Sequence, residues 1–198
     1  MKKVTTEWIE RVLHARLTDS GRFNVLPKIT PEGWWECDMF STTKAGFWSE
    51  HEIKVSKADF NNDFTKTAHF RGDKILRRKV GKRMGIPESF KHEMLADKSE
   101  LGPSYYWICA PEGLIDVEDI PAYAGLVEFP LPKSKTPSPY WSNYMKIKKK
   151  APRLHGNKVS EERLEKIARQ IPYRFQRAYF ETIPKLRRQI AELKGKSD

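Results

Sequence analysis

Two acidic residues and a lysine have the types and the spacing of a metal-dependent hydrolytic centre. Asp38 falls in one predicted strand, while Glu52 and Lys54 stand two positions apart in the next. Because side chains alternate between the faces of a strand, Glu52 and Lys54 share a face, which Asp38 can join from the neighbouring strand. Phosphodiester hydrolysis needs a hard cation, and carboxylate oxygens are the ligands that Mg²⁺ prefers. We therefore expect Asp38 and Glu52, with the backbone carbonyl of Ile53, to bind metal, and Lys54 to stabilise charge developing on the phosphate.

An α/β fold is needed to bring these residues together. Apolar residues at helical spacing predict a first helix from Thr5 or Thr6 to about Leu17. Alternating or continuous apolar segments predict strands at residues 23–29, 34–42, 47–55, 104–110 and 125–129. The order helix, three strands, helix, strand, helical turn and strand is typical of a mixed central sheet flanked by helices. We expect this domain to occupy residues 1–157.

Residues 158–198 have the pattern of an appended helical extension. Its apolar stripe is interrupted by Pro172 and Pro184. Internal proline removes a helix hydrogen bond, so two or three short helices fit the pattern better than one long rod. We expect the stripe to pack on the domain; a homodimer through these helices is the second interpretation, and a track for DNA the third.

The composition favours a polyanionic partner. The chain of 198 residues has 37 Lys and Arg against 26 Asp and Glu, a formal net charge of +11. No segment approaches the roughly 18 uninterrupted apolar residues of a spanning helix, and acidic residues follow the basic start at once, unlike a secretion signal. Cys37 and Cys109 stand far apart without a CxxC motif, so we expect core cysteines and a cytoplasmic protein.

A strongly basic segment at about residues 66–90 indicates either a mobile loop or a helix that lies on a polyanion such as nucleic acid. Contacts between cations and phosphates supply affinity without reading sequence. The residues that we expect to bind nucleic acid are Lys57, Arg71, Lys74, Arg77, Arg78, Lys79, Lys82, Arg83 and Lys91.

Other polar and aromatic residues admit a structural and a functional interpretation. His92 could donate a proton to a leaving oxygen, although lone histidines are usually not catalytic. Aromatic side chains in strands are more often core than base-stacking platforms. We therefore assign to packing the residues Trp34, Trp35, Trp48, Tyr105, Tyr106 and Trp107.

Residues 52–60, with the sequence EIKVSKADF, closely resemble a segment of the MmcB-like DNA-repair proteins and related phage proteins of the PD-(D/E)XK nuclease superfamily. Similarity continues in KHEML at 91–95, in YWICAPEGLI at 106–115, in AGLV at 124–127 and in KAPRLH at 150–155. The resemblance thus covers roughly residues 5–157. It implies a restriction-endonuclease-like fold and a Mg²⁺-dependent nuclease centre, in which Mn²⁺ can substitute.

The same resemblance carries over individual residues. Asp38, Glu52 and Lys54 occupy matching motif positions, and the superfamily often adds a carboxylate from the first helix, here Glu7 or Glu10. Two departures stand out. The family usually has arginine two residues before the first carboxylate, where this chain has Glu36, and residues 71–90 resemble an insertion.

The leading hypothesis is a metal-dependent nuclease that hydrolyses DNA in bacterial or phage repair, replication or recombination. The alternative is a non-catalytic DNA-binding module of the same fold that acts with a partner protein. An RNA-processing enzyme is compatible with the same residues.

Overall fold

The computed structural model describes residues 4–71, 74–76, 78–131 and 144–194. The chain forms two compact units, residues 1–159 and 160–198, whose division lies close to the boundary that we expected at residue 157. Arg77, and residues 132–139 of the connection between the sheet and the extension, lie outside the described residues.

The strands in chain order are β1 (Phe23–Ile29), β2 (Cys37–Thr42), β3 (Trp48–Ile53), β4 (Thr67–Arg71), β5 (Lys74–Leu76), β6 (Glu88–Phe90), β7 (Tyr105–Pro111), β8 (Ala124–Phe129) and β9 (Lys146–Lys149). The main sheet has the order β1-β2-β3-β7-β8-β9. Strand β2 is antiparallel to both of its neighbours, β1 and β3; β3, β7 and β8 are parallel, and β9 is antiparallel to β8. The expected mixed α/β sheet is confirmed.

Helix α1 (Thr6–Asp19) covers one face of this sheet. The Thr5 side chain accepts a hydrogen bond from the backbone N–H of Trp8 and so caps the helix. The apolar stripe of α1 packs with residues from β2, β3, β7 and β8 in one buried cluster. Ile53 belongs to that cluster, so by strand alternation the side chain of Glu52 points to the opposite face.

Two short helices carry the residues that meet this opposite face. Helix α2 (Lys57–Asp63) follows β3 after Ser56, whose side chain accepts a hydrogen bond from the N–H of Asp59. Helix α4 (Lys91–Ala96) follows β6 and contributes the buried side chains of Lys91 and His92. The chain therefore brings charged residues from three elements to the centre of the sheet.

The basic segment forms a second sheet, which differs from the loop or single helix that we predicted. Its strand order is β5-β4-β6, and it carries the six-residue helix α3 (Arg78–Arg83). His69 of β4 is buried, and its Nδ1 lies 2.8 Å from the carbonyl oxygen of Ile86. A Cβ on Gly81 would come within 2.3 Å of the His69 ring, so glycine is required where α3 crosses β4. Cross-strand pairing of strands of only three to five residues leaves a weak sequence signal.

Two further boundaries differ from the sequence prediction. Strand β2 starts at Cys37 rather than at Trp34, and Trp34 lies in the preceding loop with no exposed surface. The edge strand β9 was not predicted, because its sequence KIKK is short and mostly charged.

The second unit contains α5 (Glu161–Ala168), α6 (Gln170–Arg177), a π-helical turn at Ala178–Thr182 and α7 (Ile183–Lys194). Pro172 lies in the first turn of α6, where a missing N–H costs little, and Pro184 follows shortly after the π-helical turn that separates α6 from α7. The expectation of several short helices is confirmed. Within residues 4–71, 74–76, 78–131 and 144–194, no helix has both the length and the apolar character needed to cross a bilayer.

Candidate functional site

Glu52 and Lys54 meet where β3 ends. The ammonium of Lys54 donates a hydrogen bond to Glu52 Oε1 at 3.0 Å, and each residue is only 3% exposed. Both side chains point away from α1, as the two-residue period requires. The structure thus brings together the two residues that the sequence placed on one face.

Asp38 contacts Ile53, the residue between Glu52 and Lys54. Its Oδ2 accepts a hydrogen bond from the backbone N–H of Ile53 at 2.8 Å, and its Oδ1 accepts one from Lys28. The pairing of β2 with β3 ends at Met39, which lies opposite His51. The Asp38 carboxylate therefore binds the backbone of β3 just beyond the ladder. The metal-binding role expected of the Ile53 carbonyl stays a prediction.

Lys28 connects Asp38 to the first helix. Its ammonium lies 3.2 Å from Glu10 Oε1, so two carboxylates share one cation. Glu7 is exposed instead, and its own backbone N–H and the Thr5 side chain lower its pKa. Of the two carboxylates proposed from α1, Glu10 is the one joined to Asp38.

Glu50 is an acidic residue of this face that the sequence analysis missed. It is fully buried, with Lys91 Nζ at 2.6 Å from Oε1 and Trp34 Nε1 donating to Oε2 at 2.6 Å. Lys91 also donates to Glu52 Oε2 at 3.2 Å. The alternation that pairs Glu52 with Lys54 could have found Glu50, which stands two residues earlier in β3.

Asp63, at the end of α2, is the second residue that was missed. Its Oδ1 lies 2.7 Å from Lys54 Nζ and 2.6 Å from Lys66 Nζ. Its Oδ2 lies 2.8 Å from His92 Nε2 and accepts a hydrogen bond from the Tyr106 hydroxyl at 2.9 Å. Helical spacing places Asp63 beside the buried Phe60, and that was the only sequence signal that Asp63 points inward.

Neighbouring lysines and His92 lower the pKa values of the buried carboxyl groups of Glu52 and Asp63. Burial opposes ionisation of Glu52, but Lys91, Lys54 and Lys66 outweigh that effect and lower its pKa to about 2. For Asp63, burial is likewise outweighed, first by the bond to His92 and then by the lysines, and its pKa is far below the usual range.

Glu50 behaves differently from these two carboxylates. Burial raises the pKa of Glu50 to about 7, although Lys91 acts in the opposite direction. Burial also acts to lower the pKa of Lys91, yet Glu50 and Glu52 hold it well above its usual value. At neutral pH the site therefore keeps Glu52 and Asp63 ionised and Lys91 protonated, while Glu50 is close to its midpoint.

The fit of a divalent cation differs between the carboxylates. Asp38 and Glu10 offer hard oxygen donors and already converge on a cation, so their chemistry suits Mg²⁺. Both oxygens of Glu52 contact lysine ammonium groups. Across the described part of the chain, no three His, Cys, Asp or Glu side chains are arranged as a ready-made metal site. Asp38 and Glu10 fit the expected ion best.

The residues that we expected to bind nucleic acid fall into two groups. Lys91 is fully buried against Glu50 and Glu52, so it holds the interior together where we expected a surface contact with phosphate. Lys57 is exposed beside Asp116. The second sheet and α3 expose the side chains of Arg71, Lys74, Arg78, Lys79, Lys82 and Arg83.

Of the six aromatic residues that we assigned to packing, three are buried as predicted, and Trp35, Tyr105 and Trp107 are half-buried. Trp34, Trp48 and Tyr106 are buried to within 1%. Trp34 makes edge-to-face contacts with Trp35 at 5.0 Å and with Trp48 at 6.4 Å between ring centroids. These rings form the apolar wall beside Glu50.

Comparison with known proteins bears on the fold alone. No family model and no curated protein matches the chain. Among solved structures, a protein of unknown function from Silicibacter pomeroyi is similar with a TM-score of 0.52 and 17% identity, over 91% of this chain and 94% of that one. The likeness supports the mixed α/β architecture.

Proposed function

We propose that the chain is a Mg²⁺-dependent nuclease with a restriction-endonuclease-like, PD-(D/E)XK centre that hydrolyses DNA in the cytoplasm of a bacterial or phage-infected cell. The observation that carries the proposal is the contact of Lys54 with Glu52 at 3.0 Å beside an Asp38 carboxylate bonded to Ile53. A cation and two carboxylates from adjacent strands are the groups that phosphodiester hydrolysis requires.

Lys54 is held in position by two acidic partners. Glu52 and Asp63 lie 3.0 and 2.7 Å from its ammonium, and these two contacts limit its rotamers. A fixed cation can orient a water and stabilise charge on a phosphate without reorganisation. We assign Lys54 this role.

Asp38 and Glu10 would hold the metal, whereas both oxygens of Glu52, the other expected ligand, contact lysine ammonium groups. When bound, Mg²⁺ would neutralise phosphate charge and lower the pKa of an attacking water. Lys28, which now joins these two carboxylates, would then have to move its ammonium aside. Since Lys28 is 39% exposed, its side chain has solvent to move into.

The exposed cations of the second sheet would bind the DNA backbone. Lys79, Lys82 and Arg83 belong to the short helix α3, and no ion pair involves them among the residues that the structure describes. Such unpaired surface charge gives salt-sensitive affinity without sequence preference. Substrate binding and hydrolysis would therefore reside in different sheets.

The test is cleavage of labelled single-stranded, double-stranded and branched DNA with Mg²⁺ or Mn²⁺. The wild-type protein is compared with Lys54→Ala and Asp38→Asn, and circular dichroism verifies that each variant is folded. Metal-dependent cutting that disappears in both folded variants supports the nuclease. Cutting that persists in both would refute the assigned centre.

A second candidate is a DNA-binding module without hydrolysis, acting with a partner protein. The observation that favours it is that Glu52 and Asp63 are already neutralised by Lys54, Lys66 and Lys91, as in a structural ion network. The same assay separates the two functions. DNA binding by the wild-type protein with no cutting under any metal would favour the module.

A further inference from the structure

A pocket lies on the other face of the main sheet, between the second half of α1 and strands β3, β7 and β9. Its volume is about 180 Å³, and its lining includes Leu17, His51, Trp107 and Ile147. His51 alternates with Glu52 along β3, so the pocket and the Lys54 centre open to opposite faces. Nothing in the proposed hydrolysis uses this pocket.

The pocket carries positive charge that no acid balances. Arg16 and Arg22 line it, and no aspartate or glutamate does so among the described residues. Among the described residues, the Arg22 guanidinium donates to Ser49 Oγ alone, at 3.4 Å, and burial lowers its pKa. For Arg16, the described side chains provide no hydrogen bond or ion pair. A partly desolvated guanidinium without a counter-charge favours an anionic ligand.

The remaining lining suits a planar ring. The rings of His51 and Trp107 are nearly parallel, with 6° between their planes and 6.3 Å between centroids. A cavity of roughly 150 Å³ accepts benzene, so the observed volume of about 180 Å³ admits one ring and leaves a charged substituent at the rim. His51 Nδ1 and Trp107 Nε1 are buried without hydrogen-bond partners in the described structure. A ring with its own donor and acceptor could pair them after a small shift of the lining side chains.

We propose that this pocket binds a single pyrimidine nucleotide, whose one-ring base packs against Trp107 and the apolar side of α1 while its phosphate contacts Arg16 and Arg22. Two guanidinium groups match the charge of a 5′-monophosphate. The nucleotide can be free or can belong to an unpaired end of a DNA strand, since both present the same ring and phosphate. The inference does not depend on cleavage.

The experiment is titration of the full chain, without metal, by the four 2′-deoxynucleoside 5′-monophosphates, followed by calorimetry and by the indole ¹⁵N–H resonances. The Trp107 resonance is identified by its loss in Trp107→Phe. We expect saturable binding of the two pyrimidine nucleotides that shifts this resonance, and much weaker binding of the purine nucleotides, of the deoxynucleoside or of inorganic phosphate alone. A 5′-phosphorylated oligonucleotide compared with its unphosphorylated form separates a strand end from a free nucleotide as the source.

Matched variants locate the ligand. Arg16→Glu and Arg11→Glu make the same charge change on α1, but only Arg16 lines the pocket. We expect Arg16→Glu to weaken binding at least about ten-fold, since charge-assisted bonds to the phosphate are lost, and Arg11→Glu to change it less than about two-fold. Ile147 is 54% exposed, so Ile147→Glu and Ile147→Lys should both fold and should weaken and preserve binding respectively.

Several results would overturn the inference. One is the absence of saturable binding at nucleotide concentrations of about 1 mM. Another is equal loss of affinity in Arg16→Glu and Arg11→Glu, which would mean general electrostatic attraction. Failure here leaves metal-dependent cleavage untouched, because that reaction is measured on the other face with Lys54 variants.

Discussion

The buried face of β3 and the small second sheet are both rich in charge, but they handle it in opposite ways. On β3, Glu50, Glu52 and the neighbouring Asp63 are matched by lysine ammonium groups at 2.5–3.2 Å. On the second sheet the cations are exposed, and Glu88 is the acid that pairs with Arg78. Buried charge must be compensated within the fold, whereas surface charge remains available to a partner.

The strongest way to break the buried network is to remove its central cation. Lys91→Met would leave Glu50 and Glu52 buried without their shared ammonium, so we expect a loss of about 3–5 kcal/mol in the free energy of unfolding. Chemical denaturation measures this loss. The double variant Lys91→Met/Glu50→Gln should recover part of it, because one uncompensated carboxylate is then neutral. A loss below about 1 kcal/mol in Lys91→Met would contradict the network.

The next-largest expected effect is on the rate of DNA cleavage, and it distinguishes Glu10 from Glu7. Glu10→Gln should lower metal-dependent cleavage about 10- to 100-fold, the usual cost of losing a group that supports a metal site. Glu7→Gln, on the same helix but exposed, should stay close to wild type. Cleavage rates at several Mg²⁺ concentrations provide the measurement. Equal effects of the two substitutions would argue against metal binding at Asp38 and Glu10.

Glu50 should make the folded protein less stable as pH rises, which is the opposite of the effect of Glu52 and Asp63. Its pKa in the folded protein, about 7, exceeds its ordinary value of 4.5, so folding favours its neutral form. Its contribution is complete below pH 4.5 and is lost as pH rises through about 7, by about 3 kcal/mol. Glu52 and Asp63, with lowered pKa values, contribute above their ordinary values and lose that contribution only in acid.

The measurement is the free energy of unfolding between pH 5 and pH 8 for the wild-type protein and for Glu50→Gln. We expect the wild-type value to fall over this interval and the variant's value to change less. Parallel pH profiles would show that Glu50 ionises normally in the folded protein.

Substitutions in the second sheet should have the smallest effect on stability, but they should change how strongly salt weakens DNA binding. Lys79→Gln and Lys82→Gln should change the free energy of unfolding by less than about 0.5 kcal/mol, because both side chains are exposed. Each should reduce the slope of log affinity for DNA against log salt by about one. Lys44→Gln, in the exposed turn between β2 and β3, is the matched control. An unchanged slope in both α3 variants would remove α3 from the DNA-binding surface.

The sequence determined much of the local structure and one half of the site. Threonine at the helix start predicted α1, and apolar segments predicted β7 and β8. Alternation alone placed Glu52 and Lys54 on one face, since a two-residue period has a single outcome. The basic composition of residues 66–90 marked a charged surface, although not its strands.

The tertiary structure decided which charges meet. Lys91 contacts Glu50 from 41 positions away, and no local pattern distinguishes that buried lysine from the exposed ones in the preceding helix. Lys28 on β1 lies beside Glu10, so Glu10 rather than Glu7 is the residue of α1 that is joined to Asp38. Long-range ion pairing depends on where separate elements pack, and short-range periodicity constrains only which face of its own element a residue occupies.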